Sequence, residues 1–504
     1  MLLPFVIAQR ADTWGRQYRK PAGPVQIGAA TVLNYRMQPN GVGQPPVRHA
    51  RRCRGAFFTA AHRACSWPVA TSAPKNRATR LRPQSATSFA VNVLALAVGL
   101  GVMWALAEWR DAPANPSVSY LPIVPCIAVF AVLALAEWLL RITGKLAPTE
   151  VARAAFRPID LGRVGQRLLG LAATLGLVAF AYWVLPEYHN SLYHPYWQFL
   201  RALAPLTIVV PFYFVWVDAR AHEPRDEFVH FGRLVLGRWS EADRAVIQRH
   251  LLGWTVKAFF LPLMTVYLND EFNVLREAYR GGGFWAIPRH DVLLHLSIAI
   301  DLLFSVIGYT ATTRVLDSHM RSVEPTLTGW IVALICYPPF SSLIGQSYVQ
   351  YKGTTNWGGW LQPWALLYDC WGAVIVLFSM IYALSTVAFG LRFSNLTHRG
   401  IITDGPYRFT KHPAYLSKNL SWWLISVPFV AAQGWPMALR HCCLLTLLNA
   451  IYYLRALTEE RHLSRDPVYV AYAEWINEHG LFSPLGRVLP WLRYRPPPGG
   501  TAGN

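Results

Sequence analysis

SFAVNVLALAVGLGVMWALAE, residues 88–108, carries no charge until its last residue. An apolar stretch of this length meets the requirement of about 20 residues for an α-helix crossing the ~30 Å hydrocarbon core of a bilayer. Comparable runs recur near 119–140, 166–185, 197–217, 251–269, 291–310, 327–349, 363–391, 417–432 and 436–456. The sequence therefore predicts an all-α fold, a polytopic membrane helical bundle of about ten transmembrane helices. The last two runs are short and meet at a Gln433-Gly434-Trp435-Pro436 turn, the pattern of a hairpin. Composition points the same way. Hydrophobic residues make up 53% of the 504 and charged residues 15%, a balance that argues against several soluble domains.

Charge is placed unevenly. Residues 1–85 hold fourteen Lys/Arg and one acid, Asp12, which is most of the net +20. Such an arm can bind nucleic acid or anionic lipid. It has no hydrophobic period and is rich in Arg, Pro, Ala and Ser, so it reads instead as a disordered arm, or as translated sequence ahead of the true start, and no nucleic-acid partner is expected. MLLPFVIA lacks the basic n-region of a signal peptide. Beyond the arm, basic loops follow the second, fourth, sixth and eighth runs, and the loops between them are poorer in Lys/Arg. That alternation is the positive-inside pattern, and it places both the 392–418 loop and the C-terminus in the cytoplasm.

Several chemistries are excluded. The seven cysteines have no CxxC spacing, so neither a disulfide frame nor a zinc site is expected. His189 and His194 lie among Tyr188, Tyr193, Tyr196 and Trp197, which reads as an interfacial aromatic belt and not as a metal centre. No P-loop and no GxGxxG in strand-turn-helix context is present. Asp301 stands mid-run, where lipid penalises charge, as either a polar pocket lining or a buried partner for another helix. Lys257 and Asp369 sit nearer to run ends and can snorkel or face loops.

The most punctuated polar stretch, GPYRFTKHPAYLSKN at Gly405–Asn419, lies between two apolar runs. Gly405-Pro406 breaks a helix, and Pro413 biases His412 away from helical backbone. This is an ordered loop or a broken helix and not a span, and irregular backbone near a bilayer needs protein or water to satisfy it. Arg408, Lys411 and His412 suit an anionic group, and Tyr407 and Tyr415 offer aromatic faces. Tyr415 and Asn419 share a face if a helix begins near Pro413. A second polar cluster, Glu459-Glu460-Arg461-His462, follows the last apolar run, with Tyr469 and Tyr472 on an amphipathic stretch beyond. The hairpin can return these acids to the basic loop.

GPYRFTKHPAY resembles the GPYRYxRHPxY motif of the isoprenylcysteine carboxyl methyltransferase and phospholipid methyltransferase group of membrane enzymes. In that group a helical hairpin and an EER-type segment follow, matched here by Glu459-Glu460-Arg461. The resemblance covers roughly 363–490. It implies a C-terminal methyltransferase-like pocket that binds S-adenosylmethionine. The cofactor contacts it implies are Tyr407, Arg408, His412, Pro413, Tyr415, Glu459 and Glu460, with Glu460 and Arg461 as catalytic candidates and no metal. Lys411 replaces the usual Arg, and Ser417-Lys418 replaces a stretch that often contains Gly.

The expectation is an integral-membrane methyltransferase acting on a lipophilic or lipidated acceptor, by carboxyl or amine methylation. An NADPH-dependent sterol-reductase-like enzyme is the first alternative, because the same C-terminal architecture resembles that group. A transporter or membrane scaffold is the second. The predicted organisation is a basic arm at 1–85, an N-terminal helical bundle at 86–362, a methyltransferase-like core at 363–490, and a disordered tail at 491–504.

Overall fold

The computed structural model describes residues 81–109, 121–147, 149, 156–220, 226–281, 289–341, 357–426, 434–490 and 493–496. Most of the predicted arm, residues 1–80, lies outside them. Among the described residues, eight helical segments are long and apolar enough to cross a membrane. They include α1 (Phe89–Glu108), α2 (Ile123–Ile142) and α3 (Leu161–Val184). The fourth, over Ser191–Arg220, is broken into α4 (His194–Leu203), a 3₁₀ turn (Ala204–Val209) and α5 (Val210–Arg220). Pro205 and Pro211 remove amide donors there, so no continuous helix forms.

A short α6 (Glu227–Val235) precedes α7 (Arg244–Arg280) and α8 (Arg289–Thr310). The 37 residues of α7 extend about 55 Å at 1.5 Å per residue, well past the hydrocarbon core. Then come α9 (Leu327–Leu334), α10 (Trp357–Leu361), α11 (Ala365–Val387), α12 (Pro413–Ser426) and α13 (Trp435–Leu463). The chain closes with α14 (Pro467–His479) and α15 (Ser483–Val488). Of the ten expected runs, 327–349 and 417–432 do not appear as long helices: their described parts are α9 and the end of α12, and the remainder falls largely outside the described residues.

Local chemistry sets several boundaries. Asp160, Asp226, Asp243, Thr326 and Asp466 each accept from an amide two or three residues on and cap α3, α6, α7, α9 and α14. Pro413 and Pro467 open α12 and α14, where the missing N–H has no helical partner to lose. Glycines allow α3 and α6 to touch backbone to backbone. A Cβ on Gly170 would fall 2.1 Å from Phe228 O, and one on Gly232 would fall 2.0 Å from Gln166 O.

The central helix is α8. Its apolar window is 83% buried, against 11% for the α4–α5 segment, so α8 is wrapped by protein and α4–α5 faces outward. It packs on α7, α11 and α2. Its C-terminal end feeds the 311–326 loop, whose β1 (Ser322–Val323) pairs antiparallel with β2 (Thr397–His398). That pairing brings the loop after α8 against the loop after α11.

Buried cations fix the second loop. Arg392 reaches both carboxylate oxygens of Glu137 on α2, at 2.6 and 3.0 Å. Asn92 on α1 donates to Ala388 O (3.1 Å). Arg399 pairs with no carboxylate among the described residues and donates to the carbonyls of Gly308, Ala311, Ser318 and Phe393. An Arg fork with five donors can hold four carbonyls at once.

The two ends of the chain join this assembly. Ala86 donates to Ile401 O (2.9 Å), Thr403 Oγ1 donates to Pro83 O (2.8 Å), and Arg82 pairs with Asp404 at 2.7 Å. Residues 81–85, expected within the basic arm, are thus an edge of the loop. Tyr494, expected within a disordered tail, is buried, exchanges hydrogen bonds with Asn477, and meets Ser464 Oγ at 2.8 Å.

Candidate functional site

The GPYR segment forms a 3₁₀ turn, and α12 starts at Pro413. Gly405 sits at φ +61°, in the left-handed region, and a Cβ there would lie 2.6 Å from the Phe89 ring, so the loop can cross α1 only as glycine. Helix α13 continues through Leu463, and the Glu459-Glu460-Arg461 triplet therefore rides its last turns instead of following it. Residues 427–433, between α12 and α13, lie outside the described residues, but Asn449 on α13 donates to Asn419 on α12 (3.1 Å) and accepts from Trp423 (2.6 Å).

Across this interface the basic loop meets the acids. His412 Nε2 is 2.9 Å from Glu460 Oε1, and Lys411 Nζ is 2.6 Å from the same oxygen. Tyr415 donates its hydroxyl to Glu459 Oε2 (2.7 Å). The His412 and Tyr415 rings stack at 5.6 Å. One turn before Glu459, Arg455 lies over the Tyr415 ring at 5.3 Å and donates to Asn395 Oδ1. From α14, Tyr472 donates to Tyr407 O (2.6 Å) and pins the loop from behind.

Two cavities meet at these residues. The first, about 910 Å³, is bounded by the 394–402 loop, Tyr407, Lys411, His412, Tyr415, the Arg455–Leu463 turns of α13, and Tyr469 and Tyr472. The second, about 640 Å³, runs inward between α11, α12 and α13 and is lined by Tyr337, Tyr382, Thr386, Lys418 and Tyr452. Tyr407, His412, Tyr415, Arg455 and Glu459 belong to both and form the boundary between them. In the second chamber, Lys418 Nζ stands over the rings of Tyr382 (4.7 Å) and Trp422 (5.4 Å). Asp301 accepts from Tyr382 (2.8 Å) and Thr386 (2.5 Å). Of the two readings open for Asp301, the buried partner is the one observed. It lines neither cavity and holds two residues that do.

The first cavity has polar atoms without partners. Thr397 Oγ1, His462 Nδ1 and Tyr469 OH all belong to lining residues, are buried, and make no hydrogen bond among the described residues. His462 Nδ1 is 3.7 Å from Glu324, beyond hydrogen-bond length. Buried polar groups are rarely left unpaired, so this wall is chemically suited to a polar ligand. Burial, and next the nearby glutamates, push the hydroxyls of Tyr407 and Tyr469 well up, which keeps them donors. Burial drives His398 down to about 4, outweighing the Asp466 carboxylate 3.2 Å away, so its imidazole is neutral.

The predicted site residues therefore separate. Tyr407, His412, Tyr415 and Glu459 come together around the cavities. Glu460 lines neither and sits behind, holding Lys411 and His412. Arg408 and Pro413 face an apolar cleft of about 1320 Å³ on the opposite side of the loop. Arg461 is exposed. Sequence reasoning passed over Arg455, although it lies four residues before Glu459 and so on the same helical face. It also passed over the contributions of Asn395, Tyr382 and Tyr494, whose long-range positions no local pattern signals. Among the described residues, no group of three or more His, Cys, Asp or Glu is placed to hold a metal.

Residues 366–465 match the Isoprenylcysteine carboxyl methyltransferase (ICMT) family. The match takes in α11, the loop, α12 and α13, and it ends just past the glutamate pair. No curated protein and no solved structure matches the chain.

Proposed function

We propose that the protein is an integral-membrane methyltransferase that uses S-adenosylmethionine and acts on a lipophilic acceptor. The observation that carries this reading is the first cavity. It lies largely within the stretch similar to the ICMT family, and its wall presents unpartnered Thr397, His462 and Tyr469 atoms beside Glu459 and Arg455. This donor set fits the cofactor: a carboxylate for an ammonium or ribose hydroxyls, a guanidinium for a carboxylate, and tyrosine faces for a base or a sulfonium.

S-adenosylmethionine, when bound, supplies an electrophilic methyl group. The chain's own residues supply position. Glu459, oriented by Tyr415, and Arg455, anchored by Asn395, fix the polar contacts at the boundary of the two chambers. The inner chamber lies between helices, so an acceptor there is shielded from bulk water. Its Lys418 and Arg455 suit an anionic acceptor, and a carboxylate needs no general base at neutral pH. An amine would need one, and Glu459 is the carboxylate that faces both chambers. The part assigned to Glu460 is to hold Lys411 and His412 in place. A cytoplasmic location of the site and the C-terminus, supported by the Lys/Arg distribution, would give a soluble nucleotide access.

Calorimetric titration of the purified full-length protein with S-adenosylhomocysteine and, separately, NADPH tests the reading. Micromolar binding of the first alone is expected. Binding of NADPH alone moves the protein to the reductase class, and binding of neither overturns an adenosyl cofactor site. Labelled methyl transfer in native membranes then identifies the acceptor.

A further inference from the structure

Outside the ICMT-like stretch of the sequence, a cleft of about 690 Å³ opens between α5, the start of α6, α7 and the loop after α8. It shares no lining residue with the two chambers. Its floor is aromatic: the Phe228 ring meets His250 at 5.0 Å and Trp254 at 6.4 Å, both edge-on. Three cations line it, Arg249, Lys257 and Arg314, together with His319.

Two carboxylates also line the cleft, and both are engaged. Asp226 binds Arg167 at 2.8 Å and caps α6, and Glu227 pairs with Arg314 at 3.0 Å. Lys257 has no carboxylate or hydrogen-bond acceptor among the described residues; its ammonium rests 4.8 Å over the Trp254 ring. Arg249 likewise makes no ion pair there and acts on Glu227 only at longer range. Lys257 belongs to the apolar part of α7, where a charge without a counter-ion is costly and marks function by default.

Three unused ammonium donors, a guanidinium fork and a flanking imidazole converge on one concave site. That array fits an anion with several oxygens, and a phosphate meets it better than a single carboxylate does. On the same α5 that contributes Tyr213, Phe214 and Val217 to the cleft, Phe212 and Trp216 are exposed at 71% and 38%. An acyl chain attached to the phosphate would find apolar surface beside it. We infer that this cleft binds a phosphate-bearing ligand, either a phospholipid head group or a free phosphate or diphosphate.

The test uses the full-length protein in an uncharged detergent, titrated by calorimetry with short-chain phosphatidylglycerol and, separately, with inorganic pyrophosphate. Lys257→Met and Arg249→Gln are each expected to weaken binding at least tenfold, and the double variant more. Arg249 is exposed on α7, so Arg249→Gln stays informative even if Lys257→Met fails to fold. Phosphatidylglycerol binding without pyrophosphate binding identifies a lipid head group; equal binding of both identifies a free phosphate. Binding of neither, or binding unchanged in Arg249→Gln, overturns the site. The readout needs no adenosyl cofactor, so a failure of the methyltransferase reading is seen separately in the S-adenosylhomocysteine titration.

Discussion

His412 and Glu460, forty-eight positions apart, meet at 2.9 Å, and Lys411 takes the same carboxylate oxygen at 2.6 Å. One acid therefore holds two consecutive basic residues of the loop, while its neighbour Glu459 faces the cavities. Adjacent residues on a helix point about 100° apart, which allows the pair to divide in this way. The first prediction follows from that division.

Glu459→Gln removes a charge from the cavity wall, and Glu460→Gln removes the counter-charge behind the loop. Both should weaken S-adenosylhomocysteine binding, Glu459→Gln by tenfold or more, the equivalent of about 1.4 kcal/mol. Only Glu460→Gln should also lower thermal stability markedly, because it leaves the part-buried Lys411 ammonium without its counter-charge and weakens the contact that holds His412, at a cost of about 2–4 kcal/mol. Calorimetry and melting of the two variants in one detergent separate the effects. Equal loss of stability in both would contradict the assignment of Glu460 to positioning. His412→Ala is expected to lose cofactor binding while the protein still inserts.

The Glu137–Arg392 pair supports a second prediction. Both side chains are almost fully buried, at 1% and 0% exposed, and the pair ties α2 to the turn where the site loop begins. Breaking one partner of a buried pair typically costs about 3–5 kcal/mol, whereas replacing both is far milder. Arg392→Met and Glu137→Gln should each depress the melting temperature strongly, and the double variant should recover part of the loss. A double variant worse than either single would show that the charges do not act as a pair.

Stability should also fall in acid. His398, 7% exposed, is held down at about 4, against an ordinary value of about 6.5 in the unfolded chain. The unfolded chain binds the extra proton between these values. Its contribution is therefore complete above about pH 6.5 and is lost as pH falls towards 4, by an amount on the order of 3 kcal/mol. Melting curves across that window should shift downward with pH, and His398→Asn should flatten this part of the profile. An unchanged slope in the variant would assign the acid sensitivity to other groups, His319 first, which burial also holds near 4.

The membrane bundle was legible because lipid imposes a length and a polarity that single runs display without reference to neighbours. The loop was legible for a related reason: Gly405-Pro406 and His412-Pro413 break helices wherever they occur. Contacts set by long-range packing were not legible. Arg399 reaches carbonyls 81 to 91 residues away, and nothing in the sequence around it distinguishes it from the basic loop residues that face outward. The same holds for the 327–349 run, which reads as a span by composition; its described part, 327–341, holds α9, eight residues long, and then turns. Lys257 was open to snorkelling or to facing a loop; its ammonium lies over Trp254 inside a cleft that α5 and the 312–320 segment help to build, a partner set that no local pattern signals.

The N-terminal arm supplies the last prediction. Its break point matters because residues 83–86 run along the 401–403 backbone: Ala86 N meets Ile401 O, Pro83 O meets Thr403 Oγ1, and Ser85 Oγ accepts from Thr403 N at 3.3 Å. At about 1 kcal/mol for each such bond, the segment contributes on the order of 2–3 kcal/mol to the loop that carries Tyr407 and His412. The Arg82–Asp404 pair is about one-third exposed and adds little. Removing residues 1–80 should therefore leave S-adenosylhomocysteine binding and melting unchanged, whereas removing 1–87 should lower both. Peptide 81–88 supplied in trans should restore some binding to the longer truncation, since it returns the same backbone partners to Ile401 and Thr403. If the two truncations behave alike, the segment is not an edge of the site, and the loop is held by Arg392, Arg399, Tyr472 and Glu460 without it.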